Sequence, residues 1–274
     1  MSGARRFLRR WLPSFSIGSS RFPTSREHFP VFLLMGQSNM AGFGCVKKSD
    51  PWQPEDRLPH SHVWTLGGQS KAKSATPQGW IHWRPATHPL HLNQRSGGFG
   101  LGLPFADRIL QNSPATSVGL IPCAWGGAGI DTLGPGTPLY QNAIRRARIA
   151  EKSGTLAGIL WHQGETDAQS ESLATAHSTK LAHLFSQLRE DLAAPQIPLL
   201  IGDLAPFGDE HRKPEVVALR NLVRQGLRKV ATSSQHATFV ESSNLSGVDH
   251  VHFGRSGLIE FGHRYAAAYL QRFI

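Results

Sequence analysis

Short apolar runs alternating with longer amphipathic stretches restrict the fold of this chain more than any other feature. Residues 31–35 are Val-Phe-Leu-Leu-Met, five apolar residues with no polar alternation. That pattern suits a strand buried on both faces, as inside a parallel sheet. Residues 118–123, 156–161, 198–204 and 238–241 are read as further strands. The stretches between them carry helical periodicity. Over 103–110, Phe105, Ala106, Ile109 and Leu110 share one face. Thr137-Pro138 supplies an N-cap and a proline at the first helical position. The helix it opens is predicted to reach about Lys152, with Leu139, Ala143, Ile144 and Ala147 inward and Arg145, Arg146 and Arg148 mostly outward. Two more helices are expected over 171–192 and 214–231. A last one, capped by Ser256, would bury Leu258, Phe261, Tyr265, Tyr269 and Phe273 at steps of three and four.

Strands alternating with helices imply an α/β fold, a three-layer α/β/α sandwich around a parallel sheet of about five strands. In such sheets ligands bind beyond the carboxyl ends of the strands. Residues 45–95 break the pattern with six prolines, five histidines and Trp52, Trp64, Trp80 and Trp83. They read as a long ordered excursion that either lines a site or is pinned down by its own tryptophans.

Composition narrows the function. With 39% hydrophobic and 18% charged residues in 274, the chain is globular and can bury a large core. No run approaches the ~18 apolar residues of a membrane helix. Cys45 and Cys123 are too few for a disulfide framework and read as free thiols. The net charge of +10 is half concentrated in the first 30 residues, where six arginines face only Glu27. We therefore expect a basic, flexible tail over 1–28, a single domain over 29–274, and no nucleic-acid partner. The tail has no secretory apolar core, which makes the cytoplasm the default location. Its Arg- and Ser-rich start leaves organelle targeting or non-classical export as alternatives.

The chemistry concentrates at predicted strand ends. Gly36 ends the first strand and permits a tight turn that presents Ser38 as a candidate nucleophile, with Gln37 and Asn39 as supporting neighbours. A serine needs a base and an orienting acid. His252 and Asp249, three residues apart after the last strand, suit those roles; as an isolated pattern, Asp-x-x-His equally describes a loop ion pair. Oxyanion donors are sought in the N–H of Ser38, in Gly98 or Gly100, and in the Gln163 amide, which could instead tie loops together. Glu165 and Asp167 flank Gln163 and are read as orienting or structural. His60/His62, His88/His91 and His250/His252 have metal-like spacings but no completing ligands. Neither a P-loop, nor a dinucleotide fingerprint, nor a Gly-x-Ser-x-Gly elbow occurs. No metal or cofactor is expected.

Taken together, ordered blocks across about 30–273 carry a family resemblance. Gly36-Gln37-Ser38-Asn39-Met40 resembles the nucleophile block of the SGNH hydrolases, in the sialate O-acetylesterase-like branch that includes carbohydrate esterase family 6 (acetylxylan esterases). Pro89-Leu90-His91 followed by Gly98-Phe99-Gly100-Leu101-Gly102 is similar to that branch's glycine block. The segment from Gly119 to Gly127, Pro138-Leu139-Tyr140 with Arg146, Trp161-His162-Gln163-Gly164-Glu165-Thr166-Asp167 and Asp249-His250-Val251-His252-Phe253 follow in the same order. Trp125 and Ala128 depart from the smaller or hydroxylated residues expected there. The resemblance implies a flavodoxin-like α/β/α hydrolase without cofactor that cleaves O-acetyl esters of carbohydrates. It implies Ser38 as nucleophile, His252 as base, Asp249 as its partner, an oxyanion hole of Ser38, Gly98 or Gly100 and Gln163, and Trp125 and Gly127 near the substrate. An SGNH lipase or thioesterase acting on acyl chains is the alternative enzyme. An inactive carbohydrate-binding relative is the alternative outside catalysis.

Overall fold

The computed structural model describes residues 22–42, 50–67, 81–91 and 98–274. Most of the expected basic tail, Cys45 and Trp80 lie outside them. β1 (Pro30–Gly36) runs into the one-turn helix α1 (Ser38–Ala41). β2 (Val63–Leu66), β3 (Trp83–Pro85), α2 (Gly102–Asn112), β4 (Val118–Pro122), α3 (Ile130–Leu133) and α4 (Pro138–Ala150) follow. The chain ends with β5 (Thr155–His162), α5 (Glu171–Asp191), β6 (Leu199–Gly202), α6 (Pro214–Thr232), β7 (Ala237–Val240) and α7 (Arg255–Phe273). The sheet order is β3-β2-β4-β1-β5-β6-β7, parallel throughout except for the antiparallel edge strand β3.

β1 sits at the centre and explains the apolar run. Val31, Leu33 and Met35 enter one core with residues of α4, α5 and α6. Phe32 and Leu34 enter the opposite core with residues of α2 and α7. A strand covered on both sides has no polar face to show.

Among the described residues the sheet has seven strands rather than about five, because the 45–95 excursion contributes β2 and β3. β2 is four fully buried residues beside β4, too short to establish a period. β3 contains Pro85, tolerable because it forms the sheet edge. Trp83 and Trp64 are anchored against Phe22, and Phe22 also packs edge-on to Phe29. Phe22, within the stretch expected to be tail, thus packs against the core.

Two helix expectations change. Arg146 is buried, not outward: it lies three residues after Ala143 on the inner face of α4 and donates to the Leu66 and Gly67 carbonyls. α7 begins at Arg255, and Asp50 rather than Ser256 supplies the capping oxygen, accepting the Ser256 N–H at 3.1 Å. Thr137 does cap α4, accepting the Tyr140 N–H at 3.3 Å.

Candidate active site

β4 and β5 flank β1, so the loops after them must flank Ser38. The ladders continue into those loops. Trp125 N–H donates to the Gly36 carbonyl at 2.9 Å, and Gln37 N–H donates to the His162 carbonyl at 2.9 Å. Gly36 makes that closeness feasible. Its φ is +134°, and a Cβ there would lie 2.0 Å from the His162 carbonyl oxygen. No other residue fits. The turn hands Ser38 to the first position of α1.

The loop between β7 and α7 brings the other half of the site. His252 Nε2 is 3.0 Å from Ser38 Oγ, and His252 Nδ1 is 2.9 Å from Asp249 Oδ2. Asp249 Oδ1 accepts the backbone N–H groups of Val251 and His252 at 2.8 and 2.7 Å. Burial pushes the Asp249 carboxyl up, but the His252 contact and these N–H bonds outweigh it and hold it below the usual range. An ionised Asp249 can only accept, so Nδ1 carries the proton and Nε2 is left to accept from the Ser38 hydroxyl. Ser38, His252 and Asp249, 214 residues apart at the extremes, thus form one hydrogen-bonded chain.

The flanking polar residues hold this arrangement. Gln37 Oε1 accepts from Gln163 Nε2, Gly164 N–H and Thr166 N–H at 3.3–3.4 Å, fixing the loop after β5. Asn39 reaches Glu165, Val251 and Phe253. Asp167 accepts the Ile130 N–H at the start of α3 and a Gln163 N–H; burial raises its carboxyl. Glu165 is pushed up by burial but pulled down further by His162 and Asn39, to about 2.

Two expected oxyanion donors are already spent. Gln163 is fully buried, and its two N–H bonds serve Gln37, the Ala128 carbonyl and Asp167, while His177 donates to its oxygen at 3.0 Å. It is the loop-tying residue, the alternative reading of that side chain. Gly100 N–H donates to His88 Nδ1 at 3.3 Å. The 98–100 loop abuts the carboxyl end of α1, where a Cβ on Gly42 would lie 2.2 Å from the Phe99 carbonyl oxygen. Neither Gly98 nor Gly100 lines the cleft at Ser38.

That cleft, of about 450 Å³, is lined by Ser38, His252, Gln37, Gly126, Gly127 and Glu165, and also by Thr166, Val216, Arg212 and Arg220. Gly127 thus lines the cleft, whereas Trp125 packs half-buried against the core. Gly126 and the two arginines were not anticipated. Arg212 donates to the His250 carbonyl at 2.6 Å and Arg220 to Asp209 at 2.6 Å, bracing the cleft wall. Nothing in their spacing marks them before the α6 loop is seen to fold over the site. His60 meets Asp107 at 2.6 Å, and burial pulls His88 and His91 to about 3.

A sequence profile for a carbohydrate esterase, sialic acid-specific acetylesterase family matches residues 28–271. The chain belongs to that family. It is a carboxylic ester hydrolase of the carbohydrate esterase type, with the SGNH-like fold. A protein of Arabidopsis thaliana described as a probable carbohydrate esterase is 28% identical over 261 residues, 89% of this chain and 91% of its own. The crystal structure of that protein superposes with a TM-score of 0.76 at 26% identity over 90% of this chain and 100% of the other. Two further structures share the fold. NanS has a TM-score of 0.69 at 19% identity, covering 90% and 98% of the two chains. A carbohydrate acetylesterase from Xanthomonas citri has a TM-score of 0.66 at 20% identity, covering 89% of this chain and 56% of that one. Among the described residues no helix is long and apolar enough to cross a membrane.

Proposed function

We propose that the protein removes O-acetyl groups from carbohydrates, of the acetylxylan or sialic-acid type, through an acyl-enzyme on Ser38. The observation that carries this reading is the Ser38–His252–Asp249 chain opening onto a cleft. His252 Nε2 takes the hydroxyl proton as Ser38 Oγ attacks the acetyl carbonyl. The tetrahedral oxyanion is met by the Ser38 N–H at the start of α1. Backbone N–H groups of Gly126-Gly127 serve as the second source, in place of Gly98 or Gly100 and Gln163. Asp249 stabilises the imidazolium. That imidazolium protonates the leaving sugar oxygen. His252 then activates a water that cleaves the acetyl-Ser38 ester, releasing acetate.

Acetate release should be measured across acetylated xylan, O-acetyl sialic acids and a C2–C8 series of aryl esters. Release from at least one acetylated carbohydrate, with C2 preferred among the aryl esters, is the expected result. Preference for C8 would favour the lipase or thioesterase alternative. No hydrolysis of any of them would favour the inactive binding protein.

A further inference from the structure

Asn39 links the segments that carry two histidine–carboxylate pairs, each three residues apart. One is Asp249–His252. The other, His162–Glu165, has side chains 0% and 4% exposed and takes no part in the reaction just described. Asn39 follows Ser38 in the chain. Its Oδ1 accepts the Phe253 N–H at 3.1 Å and its Nδ2 donates to the Val251 carbonyl at 3.1 Å. These are the residues on either side of His252. The same Nδ2 donates to Glu165 Oε1 at 2.7 Å, and His162 Nε2 reaches that oxygen at 3.0 Å.

We infer that Asn39 and Glu165 are positioning residues for the Ser38–His252 pair. Asn39 clamps the backbone before and after the base to the residue next to the nucleophile. Glu165 decides which way the Asn39 amide faces. A carboxylate only accepts, so only the amide NH₂ can point toward Glu165, which leaves Oδ1 for the Phe253 N–H. A flipped amide would set Nδ2 against that N–H and release the clamp. His162 fixes Glu165 by donating to the same oxygen. An ionised carboxylate this deeply buried is costly unless hydrogen-bonded, so the pair holds one geometry. A glutamine does not replace it. Glu165 Oε2 has no hydrogen-bond partner among the described residues, so an amide NH₂ there is either unsatisfied or turns toward Asn39 and repels its NH₂.

This inference rests on the proposed roles of Ser38 and His252, and the test separates the two. The full chain and its Asn39→Ala, Glu165→Gln and Ser38→Ala variants are compared with 4-nitrophenyl acetate. Rates of labelling by a fluorophosphonate, which needs an aligned Ser–His pair but no sugar contact, are measured alongside thermal melting. Asn39→Ser serves if Asn39→Ala fails to fold. Misplacement of about 1 Å costs roughly 10²-fold in rate. Asn39→Ala should lose about that much kcat with KM within about threefold, and its labelling rate should fall in parallel. Glu165→Gln should show a smaller loss of the same kind. Folded Asn39 and Glu165 variants with kcat and labelling within threefold of wild type, beside an inactive Ser38→Ala, would overturn this inference alone. Activity surviving in Ser38→Ala would overturn the underlying reading and this inference with it.

Discussion

Acid should unfold this protein earlier than its carboxylates alone would require, because burial makes three imidazoles take up protons only at about pH 4 and below in the folded state. Burial pulls His88 and His91 to about 3 and His177 to about 4, against an ordinary 6.5. As pH falls through 6.5 the unfolded chain binds a proton at each of these positions and the folded chain does not. Stability therefore falls with pH from 6.5 down to the folded values. Between pH 7 and pH 5 each imidazole contributes about 2 kcal/mol of loss, about 6 kcal/mol together. That is comparable with the whole stability of many domains, typically about 5–15 kcal/mol. Asp167 and Asp203, raised by burial, offset part of the loss, because they bind protons first in the folded state. Glu165, held at about 2, adds to the loss below its ordinary 4.5. Urea unfolding at half-unit steps from pH 7.5 to 4.5 measures the slope. Close to three protons taken up on unfolding near pH 5.5 is expected. His88→Asn, whose amide oxygen can still accept the Gly100 N–H, should remove about one of them. A slope of less than one proton, or no change in the His88 variant, would refute the reasoning.

Gly36→Ala forces a Cβ onto the His162 carbonyl at a φ of +134°. It should cost at least about 1–3 kcal/mol and lower kcat by displacing Ser38; wild-type stability and kcat in this variant would contradict the turn geometry. Asp249→Asn leaves an amide where the base needs an acceptor and should reduce kcat by roughly 10²-fold or more, read with an aryl acetate. A loss under threefold would remove Asp249 from its role.

The fold was legible where periodicity was long. α4, α5, α6 and the runs at β1, β4 and β5 appear within a few residues of their predicted limits. β2 and β3 were hidden because four and three residues carry no period, and their partners are far away in sequence. Arg146 was placed outward because a charge biases the reading, yet its spacing from Ala143 puts it on the buried face. That Ser38, Asp249 and His252 would come together was legible because the nucleophile, base and orienter proposed for them must be particular residue types. The oxyanion donors proposed here were not. Backbone N–H groups have no residue signature, and which loops reach Ser38 depends on β4 and β5 being the neighbours of β1. Gln163 has the right chemistry for a donor, but its N–H groups are committed to Gln37, Ala128 and Asp167. The arginines of the cleft wall, Arg212 in the loop before α6 and Arg220 on α6 itself, reach the site through tertiary packing alone.

The central claim is that Ser38, activated by His252, forms the covalent bond. Its most direct test is to treat the protein with a fluorophosphonate and locate the adduct by peptide mass mapping. One adduct on Ser38, absent in Ser38→Ala and formed roughly 10²-fold or more slowly in His252→Ala, is the predicted result. An adduct on another residue, or unchanged labelling without His252, would contradict it.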